Sequence, residues 1–385
     1  MNEKGIPRSE ILKQLTSELS RDFTHESGRI LGSMCSKPHN FAKQVYIKNL
    51  EKNLGDPGLY PGTLKLEKEA VKILGSLLSD PDAVGNIVSG GTEANITAMW
   101  VARNISEMRN EVILPTSAHF SFDKAANLLG LKLIKVRLNE HFQMDVKEVH
   151  KAISSKTMAI VGVAGTTGLG VVDPIPELSE IAKEQDIYLH VDAAFGGFVI
   201  PFLKELGHKI IDFDFKLPGV CSITVDPHKM GLAPIPAGGI LFRDPLMLKV
   251  ISMKIIYLSG GEVEQSTILG TRSGASSTAV WALLKHLGRE GYREIIRRCM
   301  EVTVKLAEGI KNIEGISLIT QPAMNIVGLK SDGIDIRRIA QELRRREWAV
   351  ALFQNHIRII VMPDLKNSHI KELLEDLRQI TKELR

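Results

Sequence analysis

From residue 111 to residue 242, short apolar runs alternate with polar segments of helical spacing. EVILPTSA, LKLIKVRL, MAIVGVAG, IYLHVDAAF, CSITVD and GGILF read as strands, and IPELSEIAKEQ is the clearest helix between them. Strands separated by helices pair in parallel, because a parallel neighbour needs a crossover long enough to return the chain to the same edge. The alternation therefore predicts an α/β fold whose mostly parallel central sheet is covered by helices on both faces. Just upstream, KLEKEAVKILGSLL puts Leu66, Ala70, Ile73, Leu74 and Leu77 on one core-facing side of a helix.

The pattern fades after about residue 285, where LGREGYREIIRRCMEVTVKLAEGIKNI reads as charged helix and MNIVGLK and HIRIIVMP as strands. This predicts a smaller α+β domain over residues 286–385 beside a large domain over 56–285. Residues 1–55 have no core of their own and are expected to wrap onto the small domain and onto a partner chain. The 49 basic and 45 acidic residues leave a net charge of +4 spread along the sequence, which argues against a nucleic-acid partner. Arg337, Arg338, Arg344, Arg345 and Arg346 do cluster, but Ile336, Ile339, Ala340 and Leu343 interleave with them as an apolar stripe, so the arginines read as a solvated helix face. Cys35, Cys221 and Cys299 form no CxxC pair, which speaks against a disulfide framework or a cysteine metal site and for a reducing cytoplasm. No apolar run reaches the roughly 18 residues of a membrane span. The opening MNEKGIPRSEILKQLTSEL lacks a signal-peptide core, so no membrane partner is expected.

In an open α/β sheet, ligands bind beyond the carboxyl ends of the strands, so the polar residues that close each apolar run are the candidates for chemistry. NIVSGGTEANI offers Gly90, Gly91 and Thr92 at a helix start, where an anion can approach backbone donors, although a Gly-Gly-Thr by itself is more often an ordinary tight turn. His119, closing ILPTSAHF, can stack on a flat ligand or move a proton, or simply be hydrogen-bonded. Asp192 sits inside an apolar run, where a carboxylate needs a cation or donor; a structural ion pair is the alternative. Lys229, in TVDPHKMG, is an amine at a strand end, suited to a Schiff base with an aldehyde. A phosphate cradle, a stacking ring, an acid and a lysine in this order match the phosphate, ring face, pyridinium nitrogen and aldehyde of pyridoxal 5'-phosphate. The histidines show no metal-ligand spacing.

At these residues the chain resembles the group II pyridoxal-phosphate decarboxylases, and among them the archaeal L-tyrosine/L-aspartate decarboxylase family. The likeness runs through GSMCSKPH, NLGDPGLYPGT, IVSGGTEAN, AHFSF, GTTGLG, HVDAAFGG, TVDPHKMG, IPAGGILF, ILGTRSG and RIIVMP, nearly the whole chain. It implies the architecture of a fold-type I pyridoxal-phosphate-dependent transferase. It further implies that Lys229 carries the cofactor as a Schiff base, that Asp192 keeps the ring nitrogen protonated, and that His119 and Ala194 pack on opposite ring faces. Gly91, Thr92 and His228 would hold the phosphate, Thr167 would lie beside the ring oxygen, and Arg358 would orient the substrate carboxylate. Gly270 and Thr271 would reach the cofactor of a neighbouring subunit, making the active unit a homodimer.

Two departures from the family pattern stand out. Asp364 follows Pro363 where the family has histidine, and the loop LSGGEVEQSTILG lacks the tyrosine that animal members use as proton donor, which leaves His119 as the candidate donor. Two rival readings share the fold. One is a carbon–carbon lyase acting on a phosphorylated amino alcohol, and the other is a cofactor-binding protein without catalysis. A cysteine desulfurase would need a thiol on a mobile loop near the cofactor. The resemblance leaves open whether the substrate is tyrosine, giving tyramine for methanofuran, or aspartate, giving β-alanine for coenzyme A.

Overall fold

The computed structural model describes every residue except Asn2 and Glu107. Three helices precede the central sheet: α1 (Arg8–Leu19), α2 (Asn40–Lys48) and α3 (Pro61–Leu77). The chain then alternates through β1 (Val84–Val88), α4 (Gly91–Ile105), β2 (Glu111–Pro115), α5 (Ser121–Leu129), β3 (Lys132–Val136), α6 (Val146–Ala152) and β4 (Thr157–Val163). It continues with α7 (Ile175–Glu184), β5 (Tyr188–Asp192), α8 (Ile200–Glu205), β6 (Val220–Val225) and β7 (Gly238–Phe242). These strands form one sheet in the order β1-β7-β6-β5-β4-β2-β3. Pairing is parallel from β3 through β6, while β7 runs antiparallel to both β6 and β1. β7 is inverted because only a turn, with no helix, joins it to β6, and a chain that short cannot return to the starting edge.

The sheet is buried between helices. Strands β2, β4, β5 and β7 have no exposed residue, the continuous apolar pattern of a sheet covered on both faces. On α3 the expected apolar side is inward, with Ala70, Leu74 and Leu77 buried. Beyond the short helix α9 (Leu246–Lys249) and the exposed hairpin of β8 (Met253–Ile255) and β9 (Val263–Gln265), the segment Gly274–Lys311 (α10) leaves helical geometry at Gly288 and carries side chains into two apolar clusters. The second cluster gathers around an antiparallel sheet of β10 (Ile316–Leu318), β11 (Ile326–Ser331), β12 (Ala351–Leu352) and β13 (Ile357–Ile360), with α11 (Ile336–Arg345) and α12 (Asn367–Leu384) packed on it. Ile336, Ile339, Ala340 and Leu343 are buried, which leaves the arginines of α11 on its outer side. Leu31, from the N-terminal segment, inserts into this cluster and bonds through its backbone to Ile360 and Ala349. By contrast α1 buries nothing, and Ile11, Leu12, Leu15 and Leu19 are exposed along it. No helix among the described residues is long and apolar enough to cross a membrane.

Candidate active site

The carboxyl ends of the five mutually parallel strands β1, β2, β4, β5 and β6 open on a cavity of about 390 Å³. It is lined by Gly91 and Thr92 beyond β1, His119 beyond β2, Thr167 beyond β4, Asp192 and Ala194 at β5, and His228 and Lys229 beyond β6. Residues distant in sequence meet here because every parallel strand ends at the same edge.

At one end of the cavity Gly91 starts the fifteen-residue helix α4, which has no side-chain cap. Its first backbone N–H groups are therefore unclaimed by a capping side chain, which is the arrangement that accepts a phosphate. The turn admits nothing bulkier: a Cβ on Gly91 would lie 2.7 Å from Asp226 Oδ2, and one on Gly238 would lie 2.5 Å from the Gly90 backbone. His228 Nδ1 donates to the Ala237 carbonyl, and Nε2 faces Asp226 Oδ2 at 3.8 Å. Burial lowers the His228 pKa, but the Cys35 thiol and the Asp226 carboxylate outweigh it and leave the pKa raised. The Lys229 ammonium lies 3.1 Å from Asp226 Oδ2, and Asp226 Oδ1 is buried without a partner.

At the other end Asp192 is buried, accepting from the Ala194 N–H at 3.1 Å and from Asn95 Nδ2 at 2.9 Å. Half-buried His119 accepts the Ser121 N–H on Nδ1 at 3.3 Å, so its proton is on Nε2. Burial lowers the pKa of this ring and favours its neutral form.

Arg358 lies just outside this lining. It is held in β13, between β11 and β12 rather than at a surface edge, and is 6% exposed. Its guanidinium donates to the Thr167 carbonyl at 2.8 Å and to that of Gly32, while Nε has no partner. Burial brings its pKa down to about 10, and among the described residues it makes no ion pair. A buried cation facing only carbonyls is short of an anion. Gly270 and Thr271 are exposed, stand against Gly55 and do not line this chain's cavity, although Thr271 lines an adjoining pocket with Ser89 and Glu93, which do. The buried pair of Glu67 and Arg272 ties their turn to α3. Asp364 faces a different cavity, 3.4 Å from His25 Nδ1, so its replacement of the family's histidine alters a corner outside the Lys229 cavity.

Cys35, in the GSMCSKPH stretch of the N-terminal wrap, lines the cavity as well. Two neighbours escaped the sequence reading: Asp226, passed over between two stronger candidates, and a polar stripe. Tyr188, His190 and Asp192 alternate along β5, and Ser222 and Thr224 sit opposite the last two on β6. Residues two apart on a strand share a face, so Y-x-H-x-D was the available signal.

The cavity fits pyridoxal phosphate on these observations: an uncapped helix start too tight for side chains, a buried acid and a lysine all line it. The described residues hold no cluster of three metal-ligating side chains. Residues 40–331 match the family model of the pyridoxal-dependent decarboxylase conserved domain. A "Probable L-aspartate decarboxylase" of Pyrococcus abyssi is 54% identical, with 99% of each chain covered. A "Probable L-tyrosine/L-aspartate decarboxylase" of Methanothermobacter thermautotrophicus is 52% identical over 93% of this chain and 98% of its own. Among solved structures, a sphingosine-1-phosphate lyase of Burkholderia pseudomallei superposes with a TM-score of 0.93 at 30% identity, covering 100% of this chain and 93% of that one. With the family model spanning most of its length, the chain belongs to the pyridoxal-dependent decarboxylases, with pyridoxal 5'-phosphate as cofactor.

Proposed function

We propose that this decarboxylase acts on L-aspartate, releasing the α-carboxylate as carbon dioxide and leaving β-alanine, with L-tyrosine as the second candidate. The reading rests on one observation: Lys229, Asp192, His119 and the glycine turn share a cavity beside a buried arginine that lacks an anion. The name of the Pyrococcus relative puts aspartate first, and that of the Methanothermobacter relative keeps tyrosine in view.

Bound pyridoxal phosphate supplies the electron sink that makes loss of carbon dioxide feasible. Lys229 would hold the cofactor, with Asp226 as counter-ion for its ammonium when free. Asp192 would keep the ring nitrogen protonated, which would sustain the sink. His119 and Ala194 would confine the ring from its two faces. Gly91, Thr92 and His228 would hold the phosphate, and Thr167 would lie beside the ring oxygen. Arg358 would orient the substrate carboxylate through the N–H donors that its two carbonyl bonds leave free, one on each nitrogen. His119 would hand its Nε2 proton to the carbon that carbon dioxide has left and regain one from solvent.

The exposed apolar stripe of α1 and the exposed turn at Gly270 and Thr271 support a homodimer in which that turn reaches the neighbouring subunit's site. Three free cysteines support a cytoplasmic protein. The division into residues 1–55, 56–285 and 286–385 is our organisational reading, supported by the two apolar clusters. Purified, cofactor-loaded protein assayed for carbon dioxide release against the common L-amino acids tests the function. Release from aspartate, then tyrosine, is expected. Release from neither, with cleavage of a phosphorylated amino alcohol instead, would favour the carbon–carbon lyase reading.

A further inference from the structure

The polar stripe behind Asp192 has an internal direction. Asn95, on the buried side of α4, places Oδ1 at 2.7 Å from Thr224 Oγ1 and 3.1 Å from His190 Nε2, and Nδ2 at 2.9 Å from both Asp192 Oδ2 and Ser121 Oγ. His190 Nδ1 lies 2.8 Å from Ser222 Oγ, and the Tyr188 hydroxyl donates to that same oxygen at 2.6 Å. An ionised carboxylate only accepts, so the amide nitrogen of Asn95 must face Asp192 and its oxygen must face His190. That oxygen needs donors, which puts the His190 proton on Nε2 and leaves Nδ1 to accept from Ser222. The Ser222 oxygen in turn accepts from Tyr188. From Tyr188 through Ser222, His190 and Asn95 the bonds donate towards Asp192, with Thr224 as a second donor to Asn95 Oδ1 and Ser121 Oγ as a second acceptor from Asn95 Nδ2.

We infer that His190 and Asn95 are positioning residues that act through Asp192. They fix its carboxylate as a pure acceptor aimed at the ring nitrogen. The inference rests on the reading that Asp192 meets the ring. The Ser222 and Tyr188 hydroxyls could turn, but reversing the relay at Asn95 would set its oxygen against the Asp192 carboxylate, an acceptor facing an acceptor in a buried site. His190 cannot reset it by taking up a proton at neutral pH, because full burial lowers its pKa to about 4, against a smaller opposing pull from Asp192. Among the described residues the aromatic ring set against it is Phe122, edge-on at 6.0 Å, which offers no competing acceptor.

The test compares His190→Leu, His190→Gln and Asn95→Asp with Asp192→Asn as reference. It measures cofactor stoichiometry, the visible absorbance from pH 6 to 9, and kcat and KM separately. H190L is expected to bind cofactor at full stoichiometry, to lose kcat by roughly tenfold with KM little changed, and to shift its absorbance profile towards that of D192N. H190Q, which keeps a donor near Nε2, recovers most of the loss. N95D, which sets a second carboxylate against Asp192, loses more than H190L. Wild-type kcat and absorbance in H190L would overturn the inference, as would an H190Q no better than H190L at equal cofactor content. A D192N protein indistinguishable from wild type would instead overturn the role given to Asp192. If H190L does not fold, Ser222→Ala removes the donor that fixes the tautomer and carries the same expectation and the same refutation.

Discussion

His119 and Arg358 show how burial decides what a side chain can do. With Nδ1 committed to the Ser121 N–H and its pKa lowered by burial, His119 is a neutral donor at Nε2, suited both to stacking and to delivering a proton. His119→Phe keeps the flat ring and removes the proton. Steady-state assays should show kcat lower by roughly 10²–10⁴-fold with cofactor still bound; a loss confined to cofactor affinity would assign His119 to stacking alone. Arg358 spends two of its five N–H donors on carbonyls and keeps one free on each nitrogen, a planar set that lysine cannot reproduce. Arg358→Lys should lower kcat/KM by roughly 1.5–3 kcal/mol of charged hydrogen bonding, about 10–150-fold, chiefly through KM. A thermal melt on the same sample separates this from any loss of fold.

Among the elements, the turn bearing Gly270 and Thr271 depends on α3. Arg272 reaches back to Glu67, which also accepts from the Ile87 N–H and the Ser277 hydroxyl, all in buried surroundings. Glu67→Gln leaves the Arg272 charge buried without its partner and should cost roughly 3–5 kcal/mol in urea unfolding. The strands and helices of the large sheet were legible because burial on both faces writes continuous apolar runs, and because residues at strand ends stand out against them. Glu67 was not legible: a glutamate on an otherwise amphipathic helix reads as solvated until Arg272, some two hundred residues away, is brought to it. The inversion of β7 was hidden for a similar reason, since GGILF has the same apolar pattern whichever way it runs.

The molecule as a whole should record His190 in its response to acid. The unfolded chain protonates this residue near its ordinary value of 6.5, whereas the native chain does so only near 4, so between these values the unfolded state binds more protons. Stability from this residue is therefore complete above about pH 6.5 and declines below it, by at most about 1.4 kcal/mol per pH unit. Asp173 has the opposite slope, its pKa pushed up by burial to about 6, but it is common to wild type and variant and cancels in their difference. The stability gap between wild type and His190→Gln should accordingly narrow as urea unfolding is repeated from pH 7 down to pH 4.5. At this scale the order of the site residues and the wrap of the N-terminal segment were legible from sequence. The insertion of Leu31 into the second cluster was not, because it depends on where that segment crosses, which no local pattern encodes. The central claim is the covalent attachment at the end of β6. Cofactor-loaded protein reduced with borohydride, digested and analysed by mass spectrometry should carry the pyridoxyl group on the peptide containing Lys229. Its appearance on another lysine, or on none in a protein that releases carbon dioxide, would contradict the account.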